Sequence, residues 1–113
     1  MKKTLLSLLI YFTSTYSYAS EIKLLKIFDG LNKPWSLSFI DENNILVTEK
    51  PGNLLIVNLK NKTKSVIKHN LSVLEDGQGG LLDVLFHDEH VYVSYSENRG
   101  NGLSSTSVAR GVF

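Results

Sequence analysis

The densest run of chemistry-bearing residues is Gly77-Gln78-Gly79-Gly80-Leu81-Leu82, which follows Glu75 and Asp76. A carboxamide such as that of Gln78 both donates and accepts hydrogen bonds without adding charge. Glycines carry no Cβ to hold a flat ligand away from the backbone. The same residues describe a glycine-rich turn between two strands with an incidental glutamine, and on residue types alone that is the simpler reading. The run is no dinucleotide fingerprint, because Leu82 takes the place of the third glycine and a strand pattern follows where a helix is required.

His87 and His90 stand three apart, with Asp83, Asp88 and Glu89 nearby. Transition-metal sites need three or four convergent ligands, whereas Asp88-Glu89 reads as a hairpin tip whose side chains diverge, so no metal site is assigned. His69 closes a strand pattern without an evident partner and is expected to be solvated or hydrogen-bonded. Gly102-Leu103-Ser104 is not a nucleophile elbow, since Thr106 stands where a glycine must follow and there is no strand-to-helix context. Asn61-Lys62-Thr63 is a formal glycosylation sequon read here as a turn. Trp35 alternates with Leu37 and Phe39, which marks it as a core or sheet-junction residue before a sugar-stacking one.

The elements that must position these residues are strands. Nowhere in the chain after the first 19 residues do apolar residues recur at helical spacing over a helix length. A first strand pattern runs from Ile22 to Phe28 and ends at Asp29-Gly30. Trp35 to Phe39, the connection Asp41-Glu42-Asn43-Asn44 and Ile45 to Glu49 read as a hairpin. Pro51-Gly52-Asn53 turns the chain into Leu54 to Asn58, and Asn61-Lys62 turns it into Lys64 to His69. Strand patterns resume at Leu81 to Phe86, Val91 to Tyr95 and Thr106 to Val112.

An internal echo organises these strands. Leu37, Phe39, Asp41 and Glu42 recur as Val84, Phe86, Asp88 and Glu89 at an offset of 47 residues, and Ile45 and Val47 recur as Val91 and Val93 at 46. A period in the forties with several strands per unit is the mark of β-propeller blades, which bury their faces only against neighbouring blades. A meandering β-sandwich is the alternative. On the propeller reading the chain holds about one full blade, Trp35 to His69, and most of a second from Leu81. Propellers close at about four to eight blades, so such a chain is expected to be an incomplete, adhesive part of a larger domain.

The first residues carry a different signal. Met1-Lys2-Lys3, an apolar stretch through Phe12 and small residues at Ser17 and Ala19 predict a signal peptide over 1–19, cut before Ser20, and hence a periplasmic or secreted protein. The apolar stretch falls short of the roughly 20 residues of a membrane-spanning helix. Cleavage removes two lysines and leaves ten basic against eleven acidic side chains. Without a basic surplus, neither nucleic acid nor an anionic membrane surface is an expected partner. The absence of cysteine leaves an exported fold resting on its apolar core and strand pairing.

Three stretches, Leu31 to Phe39, Val47 to Leu54 and Gly77 to Val84, resemble in order and spacing the glucose/sorbosone dehydrogenases. More narrowly, the likeness is to soluble aldose sugar dehydrogenases dependent on pyrroloquinoline quinone (PQQ), and Val93 to Glu97 and Val108 to Gly111 fit that subgroup. The resemblance implies a six-bladed, all-β propeller that oxidises aldoses by hydride transfer to PQQ, with calcium as a second cofactor and a separate electron acceptor. It assigns Gln78 to cofactor contact and places the family's catalytic histidine, an arginine and the main calcium ligands beyond Phe113. No catalytic or metal residue is therefore assigned within this chain, which is expected to be inactive alone as an N-terminal part of such an enzyme. The alternatives are a non-enzymatic exported propeller that binds a partner or carbohydrate, and a truncated gene remnant.

Overall fold

The computed structural model describes residues 17–113, so nearly all of the 1–19 leader reading lies outside the described residues. Seven strands follow one another: β1 (Pro34–Phe39), β2 (Asn44–Glu49), β3 (Leu54–Asn58), β4 (Thr63–Ile67), β5 (Leu81–His87), β6 (His90–Gly100) and β7 (Leu103–Val112). They form two antiparallel meanders, a four-stranded sheet in the order β1-β2-β3-β4 and a three-stranded sheet in the order β5-β6-β7. No helix among the described residues is long and apolar enough to cross a membrane.

The turns are made where the sequence supplies turn chemistry. Asp41 accepts the Asn43 amide at 2.8 Å, the Asn44 amide at 2.9 Å and the Asn44 side chain, closing the β1–β2 connection. The Asn44 carboxamide first, and then the Asn43 amide, hold the Asp41 carboxyl below its ordinary range. Asp88 and Glu89 both adopt positive φ at the β5–β6 tip, the geometry of a two-residue hairpin turn. Asn101 and Gly102 do the same between β6 and β7. That Asn-Gly turn lengthens both strands beyond the expected Val91–Tyr95 and Thr106–Val112, because the polar residues around it continue the pairing from Glu97↔Ser105 to Gly100↔Leu103.

The internal echo is a structural repeat. Leu37 pairs with Val47 and Phe39 with Ile45; at the equivalent places Val84 pairs with Val93 and Phe86 with Val91. Both inner strands also carry an irregularity at the same point, between Pro34 and Ser36 and between Leu81 and Val84.

The two sheets meet face to face. Leu46 and Leu54 of the first pack with Leu81, Val84, Val91, Val93 and Tyr95 of the second. Three hydroxyls of the first sheet serve the backbone of β5: Ser38 Oγ accepts the Phe86 amide at 2.8 Å, Ser36 Oγ accepts the Val84 amide at 3.4 Å, and Thr48 Oγ1 donates to the Leu82 carbonyl. On the opposite face Phe28, Leu31 and Leu59 cover Ile45, Val47, Leu55 and Val57.

Two strand-level expectations are corrected. Ile22 to Phe28 forms no strand, and Leu24 and Leu25 stand 88% and 75% exposed. Trp35, Leu37 and Phe39 line the outer face of the first sheet and are 46%, 52% and 57% exposed, because the serines between them are the residues turned to the second sheet.

Candidate functional site

The glycine-rich run is a tight turn held between the two sheets. The Gly79 amide donates to the Asp76 carbonyl at 2.7 Å, with Gly77 at positive φ on the first corner, where a side chain is strained. Leu81 N donates to the Lys50 carbonyl at 3.0 Å and Ser96 N to the Gly80 carbonyl at 2.8 Å, so the turn is stitched to the β2–β3 connection and to β6. A Cβ on Gly80 would overlap the Lys50 carbonyl, and one on Gly79 would lie 2.6 Å from Ser96 Oγ. These two glycines are thus required by packing against the protein itself. A Cβ at Gly77 would meet nothing within 4 Å, and this is the side on which space remains.

Lys50 organises the neighbourhood. Its Nζ donates to the Gly77 carbonyl at 2.7 Å and lies 5.6 Å from the centroid of the Trp35 ring. Lys33 Nζ pairs with Glu75 at 2.6 Å and fixes the entry to the turn. Beneath Lys50, the buried Glu49 accepts the Asn32 amide at 2.7 Å and the Asn53 side chain at 3.0 Å, which locks the β2–β3 connection. Gln78 is exposed on this frame, and no hydrogen bond within the described residues engages its carboxamide. Sequence reasoning singled out Gln78 and missed Lys50. The signal lay in Glu49-Lys50-Pro51-Gly52-Asn53, which pattern alone presents as turn chemistry.

The residues present fit a planar, polyanionic quinone in part: a free carboxamide, an ammonium next to it and an open glycine corner. No three His, Asp or Glu side chains converge among the described residues, and Glu75 is engaged by Lys33, so no calcium site is assigned here.

The histidines lie apart from this frame. His69 Nε2 bonds to the Gly52 carbonyl at 2.7 Å while its Nδ1 accepts the Leu71 amide at 3.2 Å, a hydrogen-bonded structural role. His90 Nδ1 meets the Asp88 carbonyl at 2.6 Å, and His87 Nε2 lies 3.4 Å from the Asp88 carboxylate at an exposed hairpin tip. A cleft of about 190 Å³ opens between the sheets elsewhere, lined by Leu54, Ile67, Leu81, Val93 and Phe113 among others. None of residues 75–80 lines it, and its walls are mainly core side chains, so it is a gap between sheets.

Comparison with known proteins gives the family and the fold. The profile of the family described as Glucose / Sorbosone dehydrogenase matches residues 31–113. An aldose sugar dehydrogenase of Escherichia coli is 32% identical over 89 residues, 74% of this chain and 24% of that protein. A glucose dehydrogenase crystal structure superposes with a TM-score of 0.70 at 37% identity, covering 78% of this chain and 27% of that one. The PQQ-bound form of an aldose sugar dehydrogenase from Streptomyces coelicolor shares the fold, with a TM-score of 0.68 at 24% identity over 80% of this chain and 27% of that one. The chain spans about a quarter of the length of the curated relatives it matches. Its two sheets are propeller blades, and the chain belongs to the glucose/sorbosone dehydrogenase family.

Proposed function

We propose that this chain forms part of a PQQ-dependent sugar oxidoreductase, exported by its 1–19 leader, in which Gln78 contacts the quinone. One observation carries the reading: an exposed carboxamide with no hydrogen-bond partner among the described residues stands on a turn that Lys50 and Ser96 tie down and that Gly79 and Gly80 pack closely. Gln78 would bind a quinone oxygen or carboxylate. Lys50 would set the height of the turn and add positive charge beside it. The redox step, transfer of a hydride from an aldose, is the chemistry the bound quinone supplies. On this reading residues 17–113 supply one wall of the site, and the general base on the sugar hydroxyl comes from the part of the domain that follows them.

The test uses the chain extended to the length of its relatives. A Gln78→Ala variant is expected to weaken PQQ binding about threefold to tenfold in an absorbance titration, the worth of one net hydrogen bond. An unchanged affinity removes Gln78 from the site. Failure of the extended parent to oxidise any aldose with PQQ, calcium and a dye acceptor would sink the enzymatic reading itself.

A further inference from the structure

Five described residues other than glycine hold left-handed backbone, and four of them have an ordinary reason. Lys62, Asp88, Glu89 and Asn101 lie in the short connections between successive strands, where positive φ belongs to the turn itself. Lys33 joins no pair of strands. It stands at φ 47° directly before Pro34 and β1, although a residue ahead of proline is normally pressed into extended backbone. A long side chain gains nothing from that conformation, which glycine would adopt freely.

The neighbours of Lys33 hold it there. The Asn32 amide donates to the buried Glu49 at 2.7 Å, and the Lys50 amide donates to the Lys33 carbonyl at 3.0 Å. Strain over-determined in this way is found where a side chain has to be aimed. The Lys33 ammonium is aimed at Glu75, 2.6 Å away and 42 residues further along the chain. The Lys33 side chain is 61% exposed, so the ion pair adds little stability of its own and does not offset the backbone strain. Stability is therefore no reason for a lysine at this position.

Glu75 is where the pair has an effect. The segment that carries Gln78 leaves β6 at Leu74, whose amide donates to the Ser96 carbonyl at 2.9 Å, and returns at Gly80, whose carbonyl accepts the Ser96 amide at 2.8 Å. Between those points two ammonium groups grip it, Lys33 at Glu75 and Lys50 at the Gly77 carbonyl. We propose that Lys33 is a positioning residue for Gln78: its strained backbone aims the charge that fixes the start of the turn, and the chain gives up stability for a fixed carboxamide. The proposal rests on the reading of Gln78 as the quinone contact. Lys33 itself touches neither quinone nor sugar and acts through Glu75.

The test compares Lys33→Gly with Lys33→Arg in the chain extended to the length of its relatives. The glycine relieves the strain and removes the pair, whereas the arginine keeps both. Lys33→Gly is expected to unfold in urea at the parent's midpoint or above it. In the same variant the Gly79 amide of the PQQ-free protein is expected to exchange about twofold to fivefold faster, and PQQ to bind about twofold to fivefold more weakly, the range an exposed ion pair is worth. Lys33→Arg is expected to match the parent in exchange and in affinity. A lysine with a merely structural role would lower the midpoint on replacement by glycine, and that result overturns the proposal. So does an unchanged Gly79 exchange rate, or an unchanged PQQ affinity in a protein where Gln78→Ala weakens binding. A loosened turn in a protein whose affinity ignores Gln78→Ala keeps Lys33 as the tether of the turn and removes Gln78 from the quinone site instead.

Discussion

Gly80 shows how a residue that looks functional can be explained by its neighbours. Its φ of 152° lies outside the range most side chains adopt, and the Lys50 carbonyl fills the space where a Cβ would stand. Gly80→Ala is expected to cost about 2 kcal/mol or more, combining backbone strain with displacement of the β2–β3 connection. Gly77→Ala, strained in φ but open in space, is expected to cost about 1–2 kcal/mol. Urea unfolding of the two variants measures the order, and equal midpoints would show that the Lys50 contact yields freely. The sequence made Gln78 and its glycines conspicuous as a group. It could not separate the glycines demanded by packing from the one that leaves room, because that distinction rests on Lys50 and Ser96, which are 27 or more and 16 or more residues away along the chain.

Strand alternation was legible where two faces differ, and it located β1, β2, β3 and the β5–β6 hairpin closely. It did not reveal which face meets a neighbour. In β1 the apolar set points outward and the serines inward, since hydroxyls can serve the backbone groups along an inner strand edge and methyl groups cannot. Thr48 is the centre of this junction, fully buried, with its hydroxyl accepting the Ser36 amide and donating to the Leu82 carbonyl. Thr48→Val keeps the shape and strands both partners, so a loss of about 1–3 kcal/mol is expected in chemical unfolding. Ser94→Ala, at the equivalent place on the outer face, leaves the Asp83 amide open to water and should change stability by less than about 0.5 kcal/mol. Matching losses at the two sites would mean that the sheet junction draws nothing special from its hydroxyls. Ile22–Phe28 shows the complementary limit of pattern reading: strand composition does not by itself make a strand.

At the scale of the whole molecule, the repeat period was the most informative signal in the sequence, because it specified blades and so implied that each sheet would be buried by its neighbour. The cluster joining the sheets draws Leu46 and Leu54 from one and five residues from the other, so neither sheet has this core without its companion. That arrangement predicts one cooperative transition for both sheets. Leu46, with no exposed surface, is the residue to truncate: Leu46→Ala removes a side chain buried between the sheets and is expected to cost about 2–5 kcal/mol. Trp35 is the single tryptophan and reports on the first sheet, while amide exchange along β6 reports on the second. If the shared core governs stability, the Trp35 fluorescence midpoint and the global protection of β6 amides fall together by the same free energy, although the substitution lies in the first sheet alone. A loss confined to the tryptophan signal, with β6 protection unchanged, would show that the second sheet stands without the first and that the interface between blades is not where this chain holds its stability.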